Sequence, residues 1–222
     1  MSNLKIIDLT YNIEDGMPKF TAPWHPEIKV IQLGKIDVEG RETREVVLGT
    51  HTGTHMDAPK HFVKDGKSID QISLSKIIGE VSIFDFSFLS ENECITVDML
   101  KKLSITSRVI FKFGWGKNWG NDSFFKSWPY FTTDAISFLI SKGVIFIGMD
   151  TPSPDDSRIQ FGSLRDSENH KQLLKNEVVI VEYIANLDKI SNYEGWNLIA
   201  MPLKIKGSDG SPARICVYKE EE

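Results

Sequence analysis

A chain of 222 residues, 41% of them hydrophobic and 26% charged, can bury a core and stay soluble, and its length is that of one domain spanning residues 1–222. The net charge is −5, with acids and bases interleaved as in Glu39-Gly40-Arg41-Glu42-Thr43-Arg44-Glu45, which leaves no basic stripe for a nucleic acid. Cys94 and Cys216 form no CxxC pair, which argues against a disulfide framework or a thiolate zinc site and for buried thiols in a reducing compartment. The first residues, Met1-Ser2-Asn3-Leu4-Lys5-Ile6-Ile7-Asp8, hold no signal-type apolar region. No apolar run approaches the roughly 20 residues of a membrane span. The expectation is a cytoplasmic protein that binds neither nucleic acid nor membrane. It ends on the short acidic tail Lys219-Glu220-Glu221-Glu222.

In chain order, short apolar, β-branched runs predict strands at residues 6–9, 30–33, 46–48 and 81–86, with Gly34 and Gly49 closing the second and third. Thr96 is placed to cap a helix running to Leu103. A strand at 109–113 follows, then the aromatic stretch 114–131 with Trp115, Trp119, Phe124, Phe125, Trp128 and Tyr130. That stretch has no clean period and reads as a long loop, either functional or pinned by its own rings. Thr132 or Thr133 caps a clearer helix carrying Ala135, Ile136, Phe138, Leu139 and Ile140, which ends at Lys142-Gly143. Strands are predicted at 144–147, 178–181 and 215–218, with a helix at 167–174 before the second of these. Many strands with a few helices, some in strand–helix–strand order, predict a mixed-sheet α/β domain with peripheral helices.

Three of the five histidines fall within His51-Thr52-Gly53-Thr54-His55-Met56-Asp57-Ala58-Pro59-Lys60-His61. Imidazole is the commonest metal-ligating side chain, and a carboxylate among imidazoles suits zinc, manganese or iron. A helix is disfavoured because Thr52, Gly53 and Thr54 are poor helix formers and Pro59 breaks the second turn. On an extended chain His51, His55, Asp57 and His61 share one face, but a straight strand would separate His51 from His61 by about 33 Å. The segment must therefore curl, and Gly53 and Pro59 permit it. Glu182, at the end of the apolar run 178–181, would be strongly disfavoured as a bare buried carboxylate.

The segment resembles the HxGTHxDxPxH signature of the metal-dependent cyclase/kynurenine formamidase family at every fixed position. Asp8-Leu9-Thr10, Gly16-Met17-Pro18, Gly148-Met149-Asp150-Thr151-Pro152-Ser153, Pro202-Leu203-Lys204 and Asp209-Gly210-Ser211-Pro212-Ala213-Arg214 extend the resemblance along the chain. It departs at Lys112-Phe113-Gly114-Trp115, where relatives often carry Arg-Thr-Gly-Trp, and at the entry segment 20–26. The resemblance implies a swivelling β/β/α-type fold, a homodimer or homotetramer, and a site for two divalent cations, zinc or manganese. His51, His55 and Asp57 would hold the first, Asp57 would bridge to a second held with His170 and Glu182, and Glu182 would also bridge. His61 would act as general acid/base. Trp24 corresponds to an aromatic bordering the substrate pocket in relatives, and His25 is left without a catalytic role.

Two cations carry more charge than Asp57 and Glu182 cancel, so a bound water would lose a proton near neutrality and attack a carbonyl carbon. The expected activity is hydrolysis of a C–N amide bond in a small aryl substrate, with N-formylkynurenine of tryptophan catabolism as leading candidate and Trp24 and Trp115 walling the pocket. The alternatives are opening of a cyclic amide such as isatin, a metal-assisted lyase or dehydratase, and a non-catalytic metal-binding protein. A metal-free His61 beside the cations argues against the last.

Overall fold

The computed structural model describes residues 3–221; Met1, Ser2 and Glu222, the outer ends of the terminal segments read above, lie outside the described residues. The strands are β1 (Asn3–Asp8), β2 (Lys29–Gly34), β3 (Thr43–Val47), β4 (His55–Asp57), β5 (Ile78–Glu80), β6 (Ser82–Asp85), β7 (Cys94–Ile95), β8 (Arg108–Lys112), β9 (Tyr130–Phe131), β10 (Phe146–Met149), β11 (Val179–Glu182), β12 (Asn197–Pro202) and β13 (Gly210–Glu221). The helices are α1 (Ile36–Glu39), α2 (Leu74–Ile77), α3 (Val97–Leu100), α4 (Thr133–Ser141) and α5 (Glu168–Lys175).

Nine strands form one mixed sheet in the order β5-β12-β13-β4-β11-β10-β8-β6, with β1 also pairing β13. β6, β8, β10 and β11 run parallel, while β4 joins β11 to β13 through antiparallel pairs on both sides. β5 and β6 stand at opposite ends of that order, yet Val81 alone separates them in the chain. One residue spans about 3.8 Å, so the two edges meet and the sheet nearly closes on itself.

Alternation along the central strands feeds two cores. Ile110, Phe146, Val179 and Val181 point to one, with Met56, Leu198, Ile215 and Val217. Val109, Phe111, Ile147, Met149 and Ile180 point to the other, where α4 contributes Ala135, Ile136 and Leu139 and α5 contributes Leu173 and Leu174. Strands covered on both faces must be apolar throughout, which is why β8, β10 and β11 read as continuous rather than alternating runs. Each large side chain buried this way contributes about 1.5–3 kcal/mol.

The predicted helix after Thr132 is present: Thr132 Oγ1 accepts from Ala135 N–H at 3.2 Å, and Gly143 follows its end at φ 79°. Several boundaries move. The helix expected through Leu103 stops at Leu100. The strand expected from Val144 starts at Phe146, because Val144 N–H is still bonded to Leu139 O of the preceding helix. The aromatic stretch 114–131 is an ordered part of the second core, with Trp115, Phe124 and Trp128 buried and Trp115 Nε1 donating to Phe124 O. Trp115 is therefore a core residue and does not wall the histidine cavity, whose lining it does not join. Among the described residues no helix is long and apolar enough to cross a membrane.

Candidate metal centre

Strand register builds the centre. In the antiparallel β4–β11 pair His55 stands opposite Glu182, Met56 opposite Val181 and Asp57 opposite Ile180. Met56 and Val181 enter the core shared with Ile110 and Phe146, so strand alternation turns His55, Asp57 and Glu182 to the opposite face. The chain curls on either side of β4 as the sequence required. Gly53 adopts φ 57°, and Pro59 opens a 3₁₀ turn over Pro59–His61 that brings His61 back. His51 is accommodated by Gly210, opposite Asp57 on β13: a Cβ on Gly210 would lie 3.0 Å from His51 Cε1 and 2.9 Å from Met56 O.

The five side chains expected to hold cations converge, with His61 beside them. His51 Nδ1 lies 2.8 Å from Asp57 Oδ1, and His55 Nε2 lies 3.5 Å from that oxygen. The other Asp57 oxygen lies 3.6 Å from His170 Nε2. Glu182 divides in the same way, with Oε2 3.3 Å from His55 Nε2 and Oε1 3.0 Å from His170 Nε2. His51, Asp57 and His61 form one candidate ligand group, and His55, Asp57 and Glu182 another. Asp57, His55, Glu182 and His170 are all buried.

The donors fit a cation. His55 Nε2, both Asp57 oxygens and Glu182 Oε1 are buried and make no hydrogen bond of proper geometry. Orphaned buried polar atoms are costly, carboxylate oxygens above all. Their imidazole and carboxylate chemistry suits zinc or manganese.

The Cyclase family model matches residues 7–156. Kynurenine formamidases of Bacillus cereus and Bacillus anthracis are 31% and 32% identical to the chain over 175 residues, covering 78% of each chain. The chain belongs to the cyclase family. Among solved structures, an isatin hydrolase bound to the product analogue thioisatinate superposes with a TM-score of 0.89 at 26% identity, over 98% of this chain and 93% of that one. A potential metal-dependent hydrolase with cyclase activity superposes with a TM-score of 0.78 at 27% identity, over 99% and 100%. The mixed α/β architecture expected from the sequence is thus that of its solved cyclase-family neighbours.

Two carboxylates that the sequence reading left without a role hold histidines of this cluster in place. Asp155 Oδ2 lies 2.5 Å from His170 Nδ1, and its two oxygens accept the backbone N–H groups of Asn169 and His170 at 2.7 and 3.2 Å. Asp155 thereby caps α5 from outside, since Ser167 makes no side-chain cap, and aims His170 Nε2 at the centre. Asp209 Oδ2 lies 2.8 Å from His51 Nε2 and 3.0 Å from His61 Nδ1. Neither contact was legible, because 15 and 148–158 residues separate the partners and no periodic pattern links them. Gly53 O faces His55 Nδ1 at 2.8 Å, leaving Nε2 for the centre.

Two of the histidines, His51 and His170, are held toward their protonated forms by neighbouring carboxylates. Burial opposes charge on His51, but Asp57 and Asp209 outweigh it and push its pKa up to about 10. Burial likewise opposes charge on His170, where Asp155 and Glu182 prevail and hold the pKa well above the ordinary value. Burial disfavours the Asp57 carboxylate, yet His51 and His61 keep its pKa below the usual carboxylate range.

Aromatic rings surround the opening. Phe20, Trp24, Phe62 and Phe161 line a cavity of about 270 Å³ with His51, His55, Asp57, His61, His170 and Glu182. Trp24 and Phe161 meet edge to face at 6.3 Å and are 67% and 57% exposed, so large apolar faces stand open at the mouth. His25 sits among them, 6.2 Å from His51 between ring centroids.

Proposed function

We propose that this chain is a hydrolase of the C–N bond in a small aryl amide, with N-formylkynurenine as leading candidate, and that residues 1–222 fold as one domain around a two-cation site. His51, His55 and Asp57 would hold one ion. Asp57, Glu182 and His170 would hold a second. Zinc or manganese suits these donors. When bound, such cations supply Lewis acidity that acidifies water and polarises a carbonyl. The observation that carries the reading is the set of buried, unbonded atoms on His55, Asp57 and Glu182 that face one another across a small cavity.

The chain's own residues divide the remaining work. His61, beside the centre, holds its Nδ1 toward Asp209, so Nε2 is the atom that can take or give a proton as the leaving nitrogen departs. Trp24, Phe20 and Phe161 offer flat apolar faces to an aryl ring and exclude water from its approach. The protein would act on a small molecule as a cytoplasmic homodimer or homotetramer.

Likeness to isatin hydrolase over almost the whole chain favours a second reading, opening of a cyclic aryl amide. Both substrates present an acyl group on an aryl nitrogen, so one centre suits either. Metal-loaded protein is expected to turn over an N-formyl aniline or an isatin, with solvent oxygen-18 entering the product. His61→Ala should lose that turnover while keeping its metal content. Full turnover in His61→Ala would remove His61 from the mechanism, product without solvent oxygen would point to a lyase, and inert metal-loaded protein across amides would end the hydrolase reading.

A further inference from the structure

Asp209 sits on the loop entering β13, and its carboxylate is fixed from both sides. Its backbone O accepts Ala58 N–H at 2.9 Å, immediately before the turn that carries His61, and its neighbour Ser208 O accepts Ile69 N–H at 2.9 Å. The His51 and His61 rings lie 4.0 Å apart between centroids, and one oxygen, Oδ2, faces a nitrogen of each. Ser208 Oγ lies 3.4 Å from the other oxygen and donates its hydrogen to Gly210 O at 2.8 Å.

A carboxylate oxygen accepts and cannot donate, so both nitrogens that face it must carry hydrogen. That single requirement fixes two rings. His51 is Nε2–H, which leaves its Nδ1 lone pair aimed at Asp57 Oδ1, 2.8 Å away. Two lone pairs at that distance repel unless a cation or a proton lies between them. His61 is Nδ1–H, which leaves Nε2 bare. A histidine whose ring is not held in this way is free to flip or to change tautomer.

Resting on the proposed two-cation hydrolase, we infer that Asp209 is a positioning residue that sets, through one oxygen, the ligating tautomer of His51 and the proton-transfer tautomer of His61. It links metal capture to proton transfer from outside the lining of the cavity. Outer carboxylates that orient ligating histidines are generally worth 10–100-fold in metal affinity, and Asp209 adds a second histidine to that role.

The test compares Asp209→Ala, Asp209→Asn, His61→Ala and the double variant His61→Ala/Asp209→Ala. Zinc affinity is read by titration calorimetry, and ring nitrogens by ¹⁵N spectra of zinc-loaded and metal-free protein. Asp209→Ala should weaken zinc binding about 10–100-fold and abolish the Nδ1–H signature of His61. Because that loss runs through His51, Asp209→Ala should weaken zinc binding by a similar factor in the His61→Ala background. At saturating zinc, Asp209→Ala should cost little of whatever residual amide turnover His61→Ala keeps. Should Asp209→Ala fail to fold, Asp209→Asn, which keeps an acceptor but not the charge, should give the same changes at smaller size. Unchanged zinc affinity with an unchanged His61 spectrum would overturn the inference, as would rate losses that simply multiply. Absence of amide turnover in the native protein would count against the hydrolase reading alone, because affinity and spectra still decide the role of Asp209.

Discussion

Glu182 stands opposite His55 in the β4–β11 ladder, and its two carboxylate oxygens face two different imidazoles, His55 at 3.3 Å and His170 at 3.0 Å. The strand register delivers the first contact and α5 the second. A single side chain therefore joins the sheet half of the centre to its helical half. Asp57 repeats the arrangement, with one oxygen toward His51 and His55 and the other toward His170.

Removing the charge from Glu182 is expected to empty the centre without unfolding the protein. Glu182→Gln keeps the side-chain volume but replaces one oxygen with an amide nitrogen, which cannot ligate a cation beside His170. Metal content of purified protein by mass spectrometry should fall, with affinity at least about tenfold weaker. Retained stoichiometry and affinity would exclude Glu182 as a ligand.

Cation binding should stabilise the fold and release protons. Ligand at 100 times its dissociation constant adds about 2.7 kcal/mol, and at this chain length each kcal/mol is worth about 2–4 °C, so saturating zinc or manganese should raise Tm by about 5–11 °C and chelator should reverse it. His51, with a pKa pushed up to about 10 by Asp57 and Asp209 against its burial, is protonated in the metal-free chain at pH 8. Binding must displace that proton, so affinity should rise with pH, and calorimetry in two buffers should detect proton release. A Tm indifferent to both metals would contradict the whole centre.

Gly210→Ala tests the packing beneath His51. A Cβ there would sit 2.9 Å from Met56 O and 3.0 Å from His51 Cε1, inside contact distance of a backbone atom that cannot move freely. The overpacking should cost about 1–3 kcal/mol in stability, and the displaced His51 should weaken metal binding. Native metal affinity in a destabilised Gly210→Ala would mean that His51 contributes no ligand.

The part of the centre that local chemistry controls could be read in the sequence. His51, His55, Asp57 and His61 lie on one short segment whose glycine and proline prescribe the bend, and Gly53 and Pro59 do bend it. Burial of Glu182 followed from the apolar run before it, because that run is a central strand. Asp155, Asp209 and Gly210 were not legible as parts of the centre. Their partners come from distant segments, and only the sheet order and the α5 docking bring them together. β12 was missed although Leu198 and Ala200 alternate inward. Its lone prolyl end and intervening exposed residues hide a strand whose identity depends on pairing with β13. Trp115 was misplaced because a tryptophan beside a glycine says nothing of which core receives it.

Asp150 should give stability a pH dependence separate from the metal site. It is buried, and desolvation pushes its pKa up to about 6 despite hydrogen bonds from Phe113 N–H at 2.7 Å and Trp115 N–H at 2.9 Å. Its pKa is thus higher folded than unfolded, where it lies near 3.8. The unfolded chain releases this proton first, so the contribution is full below about pH 4 and is lost as pH rises through about 6. Two pH units of separation correspond to about 3 kcal/mol. Relative to Asp150→Asn, which does not titrate, wild-type protein should lose stability in denaturant melts between pH 4 and 7. Parallel curves for the two proteins would refute the raised pKa.

Trp24→Ala should separate substrate capture from metal chemistry. The Trp24 ring is 67% exposed and meets Phe161 at 6.3 Å at the mouth of the cavity, an arrangement that leaves its face available to a substrate ring. Aromatic pairing is worth about 0.5–1.5 kcal/mol beyond burial, so KM for an aryl amide should rise about 2–12-fold. The ring lies outside the candidate ligand groups, so metal content should not change. Removing so exposed a side chain should also leave stability within about 0.5 kcal/mol. A KM unchanged for aryl substrates would remove Trp24 from the binding wall, and a lost metal content would mean that the entry segment 20–26 instead supports the centre through His25 and its edge contact with His51.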